Sequence, residues 1–439
     1  MSESDIGEQA QLNIPASSAP AVEKKATAAG AKMVKQRARL AEKNKVDKEA
    51  ALVAYHGDND RSEEGATEDN MDPSRPFLVL EKFDFEKMDE WARLRSEWLG
   101  KSKKNDIIIP DPSPTWVRDA FFKISPCLRT ILEKDSVRCF LHFFESKDIE
   151  AMIWDHTITS QTLTYIVTHD ALRCAKVVLE GKEPLLNWRH ANPNCMNPFG
   201  YFPLHEAAEK FSVDMIKLLF RHGASANVRT VGEEVVEDLL PLHVAVENAC
   251  MHKYLEDNLS PNQDPLDYMY NLIHLLCLPE MIFLDTIRLL AKETDNLVDE
   301  LWNYIKKIRL PQTAILLLAA HEQIRGDSSS KKNVNCKQNG FPVIMNHIVE
   351  QLSSSNMKGE NENTQEQLEE RMKLAEAFRL VNIISEAGED LNKYIQAHSE
   401  ATHVEVLKHV SSILKDHGFC PTGEGIDVRN LHPICLQNI

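Results

Sequence analysis

The sequence predicts an all-α chain, with short helix pairs stacked into a solenoid behind a disordered, charged tail. Three observations predict it. After the turn signals at Pro110-Asp111-Pro112-Ser113-Pro114, short helical patterns alternate with polar or Pro-containing breaks, and strand-type alternation is nearly absent. Apolar anchors recur at a 14-residue step, from Leu163 to Val177, Leu204 to Leu218 and Leu301 to Ile315, as expected when two helices fold back on each other. Residues 1–75, by contrast, hold few large apolar side chains and cannot offset the entropy of ordering.

Within that tail, residues 23–49 carry nine Lys or Arg against four Asp or Glu, and residues 58–72 carry seven acids against Arg61. The basic stretch favours a solvated helix and offers a contact for acidic surfaces or an import signal, although its lysines are dispersed. From Arg75 the texture changes: Phe77 to Leu80, Phe83, Phe85, Trp91, Leu94, Trp98 and Leu99 supply apolar anchors. The expected organisation is a charged tail over 1–75, a repeat domain over 76–325, and a helical C-terminal region over 326–439. That last region continues the solenoid around a mobile, Ser-, Asn- and Glu-rich loop at 351–367.

The decisive segment is Asn197 to Thr230, NPFGYFPLHEAAEKFSVDMIKLLFRHGASANVRT. It resembles the ankyrin repeat in its turn Gly200, Pro203-Leu204-His205, paired Ala207-Ala208, paired Leu218-Leu219, and Gly223-Ala224 before Asn227. Pro203 suits a helix start. The two alanines allow a neighbour to approach, and Gly223 suits the left-handed conformation that ends a helix. The resemblance implies that His205 hydrogen-bonds around its own turn. Phe202 stands where the family has a capping Thr, and Phe211 where it has an inter-helix Gly, which predicts a less regular loop there.

One repeat cannot bury its own face, so neighbours are required. LTYIVTHDALRCAKVVLEG at 163–181 and LWNYIKKIRLPQTAILLLAA at 301–320 fit the same register. Pro241-Leu242-His243 repeats the signature, but fourteen residues after Leu242 stands Glu256 in a polar stretch. Apolar patterning resumes at Tyr268–Leu278 and Ile282–Leu290, which predicts a repeat carrying an inserted segment. Successive anchor leucines lie 41, 38 and 59 residues apart, against a family period of about 33. Val137–Ile153 reads as half a repeat, Asn339–Ile344 echoes Phe199–Leu204, and Val410–Gly418 echoes Ile216–Gly223. The whole chain resembles uncharacterised ankyrin-like families of grasses.

The implied function is protein–protein recognition without catalysis or cofactor, by a concave face that would include Asn197, Phe199, Tyr201, Glu206, Glu209, Lys210 and Arg229, with Thr230 beside it. The alternative is a nuclear regulatory protein whose segment 23–49 contacts nucleic acid or chromatin. A net charge of -17 argues against general nucleic-acid or membrane affinity. No secretory signal or run of about 18 apolar residues is present, so an intracellular protein, cytoplasmic or nuclear, with reduced cysteines is expected.

Chemical motifs are near misses. His205-Glu206-Ala207-Ala208-Glu209 has Glu209 where a zinc protease needs its second His. Gly100-Lys101-Ser102 lacks the preceding strand and first glycine of a phosphate loop. Asn258-Leu259-Ser260 and Arg325-Gly326-Asp327 match a glycosylation acceptor and an adhesion tripeptide that only an extracellular protein would use. His417, Cys420, His432 and Cys435 together form a tetrahedral-zinc donor set. However, His417 also holds the place that His222 has before the helix-ending glycine, and we assign no metal.

Overall fold

The computed structural model describes residues 109–110, 115–145, 159–182, 190–231, 238–260, 263–326, 339–354 and 365–420. The charged tail, the Phe77–Leu99 anchors, Lys101, His432 and Cys435 lie outside them.

The described residues form an all-α, ankyrin-type helical-repeat fold. Among them one short parallel pair is extended, β1 (Ile109–Pro110) beside β2 (Cys195–Met196). The first helices are α1 (Thr115–Glu133), α2 (Val137–Glu145), α3 (Ser160–Thr168), α4 (Leu172–Glu180), α5 (Pro203–Glu209), α6 (Val213–Arg221) and α7 (Pro241–Cys250). Then come α8 (Lys253–Asn258), α9 (Pro265–Leu276), α10 (Phe283–Glu293), α11 (Leu297–Lys306) and α12 (Leu310–Ala319). The last are α13 (His321–Arg325), α14 (Gly340–Ser354), α15 (Gln365–Ala397) and α16 (His403–Asp416).

Helices α1, α3, α5 and α7 pack side by side in one row, and α2, α4, α6 and α10 in a second. Pairs α1/α2, α3/α4, α5/α6 and α11/α12 share one turn. In each, a left-handed residue (Asp135, Asp170, Phe211 or Ile308) donates its N–H three residues back, and the next residue donates five back. This double bond satisfies carbonyls left open at the helix end. Phe211 therefore adopts the conformation a glycine would take, at φ +54°. The expected irregular loop is not found, because ring contact with Phe283 and the Thr286 hydroxyl bonding the Phe211 carbonyl hold it in place.

A leucine seven residues before each left-handed residue anchors the first helix. Leu128, Leu163, Leu204 and Leu301 are all fully buried, as is Leu242 on α7. The half-repeat read at Val137 thus belongs to a complete pair. Its first helix carries Pro126 in its interior, a residue that usually ends a helix.

Helix α7 lacks the shared turn and runs into α8 and α9. Its second-row partner is α10, which packs against both α7 and α6. Ile287-Arg288-Leu289-Leu290 there matches Ile216-Lys217-Leu218-Leu219 of α6. The inserted segment is therefore 251–282, and the fourth pair is α7/α10. Inserted helix α9 packs against α12, α15 and α16.

Asparagines tie the repeat loops together. The Asn194 side chain donates to the Gly223 carbonyl at 2.7 Å and accepts from the Ser225 N–H at 2.8 Å. Asn227, 33 residues on, accepts from Asp295 N–H at 2.8 Å and donates to the Asp295 carboxylate at 2.9 Å.

The C-terminal region does not continue as short pairs. Helix α15 runs for 33 residues and lies along α12, whose residues Thr313–Ala319 are all buried. Helix α14 extends to Ser354 and α15 starts at Gln365, so residues 351–354 and 365–367 of the expected loop are helical, and 355–364 lie outside the described residues. The Val410–Gly418 echo has a structural counterpart. Gly418 and Phe419 bond back to Lys415 and Leu414 as Gly223 and Ala224 bond back to Phe220 and Leu219.

Candidate interaction surface

The loop before α5 is built by Asn197. Its side-chain oxygen accepts from the N–H groups of Phe199 (3.0 Å) and Tyr201 (2.9 Å), and its own N–H donates to the Tyr201 carbonyl. Gly200 sits at φ +83°, where a Cβ would lie 1.6 Å from the Val231 carbonyl oxygen of the following loop. Glycine is therefore the residue that lets these two loops meet. The Val231 N–H donates to the Gly200 carbonyl, closing the contact.

The consequence is a rigid tip that exposes apolar side chains. Phe199 is 45% exposed and Val231 51%. Lys210, at the end of α5, is also exposed, while Tyr201, Glu206 and Glu209 are half-buried. The Glu206 carboxylate accepts from the Thr168 hydroxyl of α3, and the Tyr201 ring stands edge-on to His205. Val231 was missed in the sequence because nothing local marks it. Its position becomes visible only when the Gly200 contact brings the two loops together.

Three of the residues expected at a binding face have other roles. Thr230 is buried, its N–H donating to the Leu239 carbonyl and its hydroxyl oxygen accepting from the Leu239 N–H. Asn197 is buried, with its side-chain oxygen and its N–H engaged in the turn it builds. Arg229 donates to the Asp238 carbonyl at 2.9 Å and to the Glu300 carboxylate at 2.5 Å, so its guanidinium joins the third repeat's loop to α11.

His205 also departs from expectation. It is fully buried, and its Nε2–H donates to the Leu239 carbonyl at 2.8 Å, just ahead of α7, instead of closing its own turn. Burial pulls its pKa down to about 4. His243 makes the own-turn contact, with Nδ1 accepting from Leu240 N–H at 3.3 Å. Its Nε2 then lies 3.0 Å from the Glu300 carboxylate. The hydrogen bond from His243, helped by the charge of Arg229, holds the Glu300 carboxyl at about 2.

These histidines join repeats, and nothing around His205 resembles a metal site. Among the described residues, no three His, Cys, Asp or Glu side chains converge to hold a metal. His417 instead sits 3.1 Å from the Asp390 carboxylate. Burial raises the thiols of Cys127, Cys174, Cys250 and Cys277, which makes them poor nucleophiles. No helix among the described residues is long and apolar enough to cross a membrane.

An ankyrin-repeat family model matches residues 199–231. The match covers the loop tip, α5, α6 and the following loop through Val231. It supports reading the chain as an ankyrin-repeat protein, a class that ordinarily mediates protein–protein contacts. No curated protein matches the chain.

Proposed function

We propose that this chain is a non-catalytic protein-binding scaffold that contacts its partner through the loop-tip strip of the third repeat. Phe199 and Val231 would supply the apolar contact, with Lys210, Glu206, Glu209 and Tyr201 bordering it. One observation carries this reading: two large apolar side chains are exposed on loops held rigid by Asn197 and by the Gly200–Val231 contact. Exposed apolar side chains on a preorganised backbone lose little entropy when they bind.

A photo-crosslinking residue placed at 199 should capture a defined partner, and one placed at exposed Lys176 on α4 should not. The double variant Phe199→Ser/Val231→Ser should lose that partner by at least about tenfold while melting like the parent, since both side chains are solvent-facing. Equal capture from both positions, or full binding by the double variant, would sink the proposal.

A further inference from the structure

Helix α16 is docked on two elements outside the repeats, inserted helix α9 and long helix α15. Val406, Leu407, Val410 and Leu414 form its buried face. The polar contacts along this seam depend on histidine. In the middle, His274 of α9 is buried. Its Nδ1–H donates to the Tyr270 carbonyl at 2.7 Å, and its Nε2 lies 2.9 Å from the Ser411 hydroxyl of α16. At the ends, His403 pairs with Glu280 and His417 with Asp390.

We propose that α16 is a strap released by mild acid, with His274 as the group that senses it. Imidazole is the one ordinary side chain that gains charge between pH 8 and 5. While α16 is docked, a charged His274 would be sealed from water. Its own helix offers Tyr270, and α16 offers Ser411 and the Leu407 carbonyl. Burial outweighs both carbonyls, and no charged group among the described residues acts on the ring. Its folded pKa is pulled down to about 4. The sign follows from linkage. The undocked state, with His274 in water, binds a proton more readily, so lowering the pH favours undocking.

At its ends α16 is held by His403 against Glu280, beside the Tyr254 ring, and by His417 against Asp390, which also faces Lys393 at 4.0 Å. Both histidines are partly exposed, so water screens these pairs. His398 and exposed His409 both stack on Tyr394, with their own ring centres 6.3 Å apart. The buried group therefore sets the direction.

Amide hydrogen exchange of the full chain tests this. Corrected for intrinsic rate, opening of residues 403–416 should rise about three- to tenfold between pH 7.5 and 5.5, while the α5 amides change far less. In His274→Gln the rise should vanish or reverse. In His403→Gln/His417→Gln the rise should persist, because His274 sets it. A pH-independent α16 in the parent, or an undiminished rise in His274→Gln, would overturn the proposal. Should His274→Gln fail to fold, a side-chain titration of His274 in the parent decides instead. A midpoint near 6.5, the ordinary imidazole value, would equally overturn it.

Discussion

Helices α5 and α7 open with the same Pro-Leu-His, lie side by side in the first row and bury Leu204 and Leu242 equally. Yet α5 reaches its partner after three residues, whereas α7 reaches α10 after thirty-two. The second helix arrives in the right place both times. The repeat is therefore defined by the surfaces it presents to its neighbours, and continuity of the helical hairpin is dispensable. Loop closure explains why: its entropic cost grows only with the logarithm of length, so a long excursion is tolerated once both ends have packed seats.

If neighbour surfaces dominate, the largest loss should come from blocking one. Gly200→Ala adds a Cβ against the Val231 backbone at a left-handed position and should cost about 4 kcal/mol or more in urea denaturation. A loss under about 1 kcal/mol would mean the loops can part freely.

Leu204→Ala and Leu242→Ala should each cost about 3 kcal/mol and match within about 1, because both side chains are fully buried. A much milder effect at Leu242 would show that the interruption loosens its repeat.

Glu300→Gln removes the carboxylate that holds His243 and Arg229 and should cost about 3 kcal/mol at pH 7. The acid limb gives the sign. Because the folded carboxyl is depressed from 4.5 to about 2, its contribution is present above pH 4.5 and disappears as the pH falls toward 2. That part of the stability profile should flatten in the variant.

The smallest contrast lies in the loop asparagines. Asn194→Ala should cost about 2 kcal/mol and Asn227→Ala about 1, since Asn194 is buried and Asn227 exposed. Thermal melts of the two variants would rank them.

Much of this arrangement was legible in the sequence. The anchors Leu163, Leu204 and Leu242 fall on first-row helices and Leu301 on the first helix of the last pair, because apolar spacing directly encodes which face is buried. The inserted segment was visible as a break in register at Glu256. Its far boundary was not, because the pairing of α7 with α10 is made in space and leaves no mark in local periodicity. The first pair was read only from Val137 on, and its first helix carries Pro126, a residue that local rules place at a helix end. At the candidate surface, Phe199 and Lys210 were readable as exposed. Asn197 and Arg229 were misread, because polarity alone does not reveal that a side chain's bonds are already satisfied within the fold.

Helix α15 has a consequence for assembly. At 1.5 Å per residue its 33 residues span about 50 Å, and it lies across the last pair where a sixth repeat would otherwise stack. An uncovered repeat end exposes an apolar face that a capping element must cover. With α15 laid on α12, that face is covered from within the chain.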